Sequence, residues 1–274
     1  MNGRRTRTTD FRDKKKRGEK IAVLTAYDAT MARLLDGAGV DALLVGDSVG
    51  MVMLGYDTTV PVTLDDMLHH TSAVSRGTTR AMVIADMPFL TYQVSVAEAV
   101  RNAGRLMQEG GATAVKLEGG RYVTDVVRRL VDVGVPVMGH VGLLPQSVHQ
   151  LGGYRKRGTE PEEADNILMD AHALQDAGAF AIVLESIPSE LARSISSQLD
   201  IPTIGIGAGP DCDGQVLVSA DMLGLTAGHI PSFVKQYAGL ADIIRAAASD
   251  YVKDVRESQF PAVREDLAAG PRRE

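Results

Sequence analysis

The 274 residues contain one cysteine, Cys212, so the chain can close no disulfide within itself. That fits a reducing compartment such as the cytoplasm. In the loop Pro210-Asp211-Cys212-Asp213 a structural thiol is the simpler reading than a nucleophile. Long hydrophobic runs are also missing: nothing approaches the roughly 18 apolar residues of a membrane helix. The first twenty residues are basic but lack the apolar centre of a secretory signal. There is no excess of positive charge. The formal net charge is -6, which argues against nucleic acid as the main partner. No His-x-x-x-His pair occurs. Gly205-Ile206-Gly207-Ala208-Gly209-Pro210 lacks the spacing of a dinucleotide loop and puts proline where a helix should begin.

What is present is a sentence written five times. Ala42-Leu43-Leu44-Val45 is apolar at every position and gives way to Gly46-Asp47-Ser48. Runs of that kind suit strands buried on both faces of a parallel sheet. Met82 to Ala85 ends in Asp86, Ala114 to Leu117 in Glu118, Pro136 to Gly139 in His140, and Ala181 to Leu184 in Glu185. Between them stand helical segments closed by glycine. The alternation, repeated about eight times, predicts an α/β fold with a parallel sheet. An open sheet gathers ligands at one switch point, whereas a closed (β/α)₈ TIM barrel brings all strand ends to one mouth. Ionisable residues end strands two through six, which favours the barrel. The length also suits the ~250 residues such a barrel needs.

The expected organisation is a basic tail and short helix over 1–20, a single barrel domain over 21–250, and a polar tail over 251–274. Asp28 caps a helix with Met31, Leu34 and Leu35 on one face. Thr63 with Asp66, and Ser95 with Glu98, read as capping boxes. Two connections are long for this fold, Gly50–Pro61 and the basic, glycine-rich Gly142–Gly158.

Asp47, Asp86 and Glu118 form an oxygen-donor set that suits a hard cation, Mg²⁺ before Zn²⁺. Without a cation, three crowded carboxylates raise one another's pKa. Removing Asp86 is therefore expected to raise the melting temperature of the metal-free protein. Lys116 lies two residues before Glu118, on the same strand face. It needs an anionic partner, either the acids or a substrate carboxylate. His140 is open to four roles: acid, base, metal ligand or hydrogen-bond donor. Glu185, far along the chain from the other acids, is the candidate base, with a fourth metal ligand or an ion-pair partner as the alternatives.

Several stretches together resemble the ketopantoate hydroxymethyltransferase family. They include Leu24-Thr25-Ala26-Tyr27-Asp28, Val45-Gly46-Asp47-Ser48, Ala85-Asp86-Met87-Pro88-Phe89, Val115-Lys116-Leu117-Glu118-Gly119-Gly120, Gly139-His140-Val141-Gly142-Leu143 and Pro145-Gln146-Ser147-Val148. Matching stretches run in order from Leu24 to Tyr237. Leu144 departs from the usual threonine, and the end after Phe260-Pro261 lacks the usual continuation. The resemblance implies a barrel, bound Mg²⁺, and hydroxymethyl transfer from 5,10-methylenetetrahydrofolate to 2-oxoisovalerate in pantothenate biosynthesis. It places Asp47, Asp86 and Glu118 around the metal, directly or through water. It sets Asp47, Ser48, Asp86 and Lys116 against the 2-oxo acid, His140 beside it, and Glu185 as proton acceptor. A homodecamer is implied by the resemblance alone. The rivals are a Mg²⁺-dependent carbon–carbon lyase or mutase of the phosphoenolpyruvate mutase/isocitrate lyase group, and a barrel-shaped binding protein without activity. The absence of a Lys-Lys-Cys-Gly-His motif disfavours isocitrate lyase, and the full acid–lysine set disfavours an inactive scaffold.

Overall fold

The computed structural model describes residues 4–226, 228 and 230–261. Residues 262–274, most of the expected polar tail, lie outside them. Eight parallel strands close into a barrel in chain order: β1 (Ile21–Thr25), β2 (Ala42–Val45), β3 (Met82–Asp86), β4 (Ala114–Lys116), β5 (Val137–Gly142), β6 (Ala181–Glu185), β7 (Thr203–Ile206) and β8 (Gly214–Leu217). The barrel belongs to a compact unit, Met1–Ser219. A second unit follows from Ala220 and carries the helix Leu240–Arg256. Among the described residues no helix is long and apolar enough to cross a membrane.

The unbroken apolar runs are explained by two cores. Alternate strand residues point to opposite faces. Ile21, Val23, Ala42, Leu44, Met82, Ile84, Ala114, Met138, Ala181 and Val183 fill the barrel interior. Their neighbours Leu43, Val45, Val83, Val115, Val137, Ile182 and Leu184 pack outward beneath the helices. Caps set the helix starts. Asp28 accepts from the backbone N–H groups of Thr30 and Met31, and Thr63 forms the full box with Asp66. Ser95 accepts from the Glu98 N–H, and Pro161 opens its helix, where its missing N–H does no harm.

Two expectations change. Leu34 is 65% exposed; Leu35 keeps the buried face, joined by Ala32, with Met31 partly buried against the core. His140 lies inside β5, which continues to Gly142. The short opening helix is present as Thr8–Arg17, and it places Phe11, fully buried, in the interior core, edge-on to Phe180 at 5.6 Å.

Candidate active site at the strand ends

The interior alternation that makes the apolar core also delivers the site. In β3, Met82 and Ile84 point inward, and the next inward position is Asp86. After Ala114 come Lys116 and Glu118; after Met138 comes His140; after Ala181 and Val183 comes Glu185. All but Glu185 are 5% exposed or less, and the Glu185 side chain is the most open at 19%. Asp47 arrives differently. The chain turns at Gly46, and the Asp47 N–H donates to Asp86 Oδ2 at 3.1 Å. A Cβ at Gly46 would sit 2.7 Å from Ser48 Oγ, so glycine here leaves that hydroxyl its place. Ser48 is held by the Tyr27 hydroxyl at 2.9 Å.

Lys116 Nζ donates to Asp86 Oδ1 at 2.8 Å, so one of the acids is its partner here. Burial opposes its charge, but Asp86, Glu118 and Asp47 outweigh that and hold the ammonium firmly protonated. His140 sits between two acids, Nδ1 3.6 Å from Glu118 Oε1 and Nε2 3.1 Å from Glu185 Oε2. Neither ring nitrogen makes an aligned hydrogen bond there, so the contacts are those of charge. Burial and Lys116 push its pKa down. Glu118 and Glu185 push harder, to about 9, so the imidazolium is the resting form.

Asp47 carries the imbalance. Burial first, then Asp86 and Glu118, drive its carboxyl well above the usual range, against the help of Lys116 and Gln146. With all four carboxyls ionised, one ammonium and one imidazolium leave two negative charges over, which is what a divalent cation neutralises. Among the described residues, however, no three His, Cys, Asp or Glu side chains close on one point. Glu118 is drawn to the Gln146 backbone N–H at 3.0 Å and toward His140. The adjoining pair is Asp47 and Asp86.

The raised Asp47 pKa has a testable sign. Its folded value exceeds the unfolded one, near 4, so its contribution to stability is complete below that range. It is lost as pH rises through the folded value. Metal-free Asp47→Asn should therefore melt above the parent at about pH 8 and lose the advantage toward about pH 4. Thermal melts in chelator decide it; a variant that melts lower at the higher pH contradicts the assignment.

Sequence reasoning gave no role to Gln146 or Tyr92. Gln146 is 5% exposed; its Nε2 donates to Asp47 Oδ2 at 2.8 Å and to the Met87 carbonyl at 3.0 Å. The Tyr92 hydroxyl donates toward Gln146 Oε1 at 2.8 Å and accepts from the Glu118 N–H at 3.1 Å. These two loop residues tie Asp47 to Glu118. Loop positions carry no periodicity, so only the stretch Pro145-Gln146-Ser147 marked one of them. Gln146→Leu keeps the volume and strands buried acceptors, at a cost of about 1–3 kcal/mol. Its melting point should fall to match, and an unchanged melt would show the network to be slack.

The burial of Cys212, with its thiol pKa pushed up by that burial, fits the structural role. His69 and His149 are exposed, and His70 and His172 are partly exposed on or beside helices, away from this cluster.

The sequence profile described as ketopantoate hydroxymethyltransferase matches residues 5–263. A 3-methyl-2-oxobutanoate hydroxymethyltransferase of Thermoanaerobacter sp. (strain X514) is 56% identical over 254 residues, 93% of each chain. Its namesake in Syntrophus aciditrophicus (strain SB) is 57% identical over 259 residues, 94% of this chain and 95% of the other. Among solved structures, a 2,3-dimethylmalate lyase of the PEP mutase/isocitrate lyase superfamily superposes with a TM-score of 0.61. It is 19% identical and covers 94% of this chain and 87% of its own. At that identity the likeness is one of fold.

Proposed function

Because the chain belongs to the ketopantoate hydroxymethyltransferase family, enzymes of pantothenate biosynthesis, we propose that it moves a hydroxymethyl group from 5,10-methylenetetrahydrofolate to 3-methyl-2-oxobutanoate. The product is 2-dehydropantoate. The observation that carries the mechanism is the pairing at the mouth: an accessible carboxylate, Glu185, 3.1 Å from a cationic His140, opposite a buried and under-neutralised Asp47.

Mg²⁺ fits the donor set, since it commonly takes one or two protein carboxylates and leaves its other positions to water and substrate oxygens. Asp47 and Asp86 would hold it, with Glu118 acting through water. When bound it supplies Lewis-acid stabilisation of negative charge on the keto oxygen. The protein does the rest. Lys116 and His140 place two positive charges beside the 2-oxo acid and favour its carboxylate. Ser48, steadied by Tyr27, offers a hydroxyl to the same anion. Water opens the methylene bridge of the folate: its oxygen joins the carbon, both C–N bonds break, and the two nitrogens take the protons, so that tetrahydrofolate leaves and formaldehyde remains. Glu185 removes the C3 proton, the C3–H electron pair attacks the formaldehyde carbon, and the alkoxide that forms takes the proton back from Glu185. Gln146 and Tyr92 hold Asp47 and Glu118 in place.

The carbon–carbon lyase or mutase alternative rests only on likeness of fold. A homodecamer and a cytoplasmic location belong to the same proposal; sedimentation velocity tests the first. The activity is tested by turnover with 2-oxoisovalerate, methylenetetrahydrofolate and Mg²⁺. Formation of 2-dehydropantoate that stops with chelator is the expected result, and no product under those conditions overturns the reading.

A further inference from the structure

Beside the mouth, outside the ring of acids, lies a cavity of about 640 Å³. That is the size of a small-molecule site. Its walls are the loop after β4, the long loop after β5 and the first half of the helix Pro161–Asp176. Asp47, Asp86, His140 and Glu185 do not line it, yet two glycines join it to them. The Gly119 N–H donates to the His140 carbonyl at 3.0 Å. Gly142 packs so closely on Glu185 that a Cβ would lie 2.3 Å from its carbonyl oxygen. The inner wall is thus one peptide away from the proton-handling pair.

The outer wall offers three kinds of chemistry. Tyr122 is aromatic and 69% exposed. It is seated against Gly119, where a Cβ would lie 2.6 Å from the ring. Its loop is pinned by the Arg121 N–H and Nε, which donate to Asp170 at 3.0 and 2.7 Å. Glu162 and Asn166 bring an acceptor and an amide donor on one helix. Arg155 and Lys156 make no ion pair among the described residues, whereas the adjacent Arg157 is taken by Glu163.

We propose that this cavity seats the one-carbon carrier as a reduced folate. Tyr122 lies against the flat pterin, Glu162 and Asn166 meet its amide edge, and Arg155 with Lys156 takes the glutamyl carboxylates. The assignment rests on the folate-dependent transfer argued above. It puts a planar ring, a polar edge and an anionic tail on surfaces that match each in turn. It also directs the one-carbon end toward Gly142 and Glu185.

Calorimetric titration of the full chain with tetrahydrofolate and with its triglutamate tests this. Stacking on an aromatic ring is worth about 1–3 kcal/mol. Tyr122→Ala should therefore bind both folates about tenfold or more weakly, and Tyr122→Phe should bind as the parent does. Arg155→Glu with Lys156→Glu should lose the preference for triglutamate and its sensitivity to salt. All three proteins should exchange the C3 proton of 2-oxoisovalerate, a step without folate, at the parental rate. Unchanged folate binding in Tyr122→Ala and in the charge-reversed protein overturns the assignment. So does a parent that binds neither folate. A parent that binds folate with these dependences but neither exchanges the proton nor makes product leaves the cavity assigned and overturns the transferase reading instead.

Discussion

Glu185→Gln should slow exchange of the C3 proton of 2-oxoisovalerate into D₂O by about 10²–10⁴-fold, the usual contribution of a positioned base. The reaction needs the 2-oxo acid, Mg²⁺ and the base but no folate, so it isolates proton removal from transfer. Glutamine keeps the shape and one acceptor oxygen toward His140 Nε2, 3.1 Å away in the parent. Substrate and metal binding should therefore survive. His140 does not substitute, because its pKa of about 9 keeps it protonated at neutral pH. Two carboxylates hold that value up, so losing one should also lower it, which the ring proton shifts report. The readout is the C3 proton signal by NMR. Exchange at the parental rate in Glu185→Gln removes Glu185 from the role.

Asp86→Ala should abolish most Mg²⁺-dependent activity and lower stability by about 3–5 kcal/mol, the usual cost of breaking a buried ion pair by removing one partner. The sequence pointed the other way, because three clustered carboxylates suggested that losing any one relieves repulsion. The geometry separates them. Asp86 is the partner of Lys116 at 2.8 Å and the acceptor for the Asp47 N–H. Its removal strands a buried ammonium. Repulsion collects on Asp47, so relief comes from Asp47→Asn alone. Chemical denaturation of both metal-free variants decides it, with opposite signs expected. An Asp86→Ala protein as stable as the parent breaks the argument.

The parts legible in the sequence were those that repeat. Buried parallel strands write themselves as apolar runs, and the residue where each run stops is the residue at the mouth. Asp86 and Glu185 were therefore found by position alone. The unread parts depend on residues far apart in the chain. Lys116 announced a need for an anion, but only the register of β3 against β4, which sets it beside Asp86, selects which one. Gln146 spans 99 residues to reach Asp47, and no local pattern marks that reach. Glu118 was found by its place after a strand, and that place says nothing of the Gln146 N–H and the His140 ring that engage it. The opening helix was expected, but the burial of Phe11 was not, because four basic residues fill the last turn of that helix and make it read as a solvated one.

That phenylalanine bears on how the protein is handled. A laboratory trimming the basic start to improve expression would take the first seventeen residues for a dispensable leader. They hold the ring that closes the interior core. Cutting them would open the barrel to water at the end away from the chemistry. The damaged protein would still display every acid of the site and yet lose activity on storage, through a leak at its base.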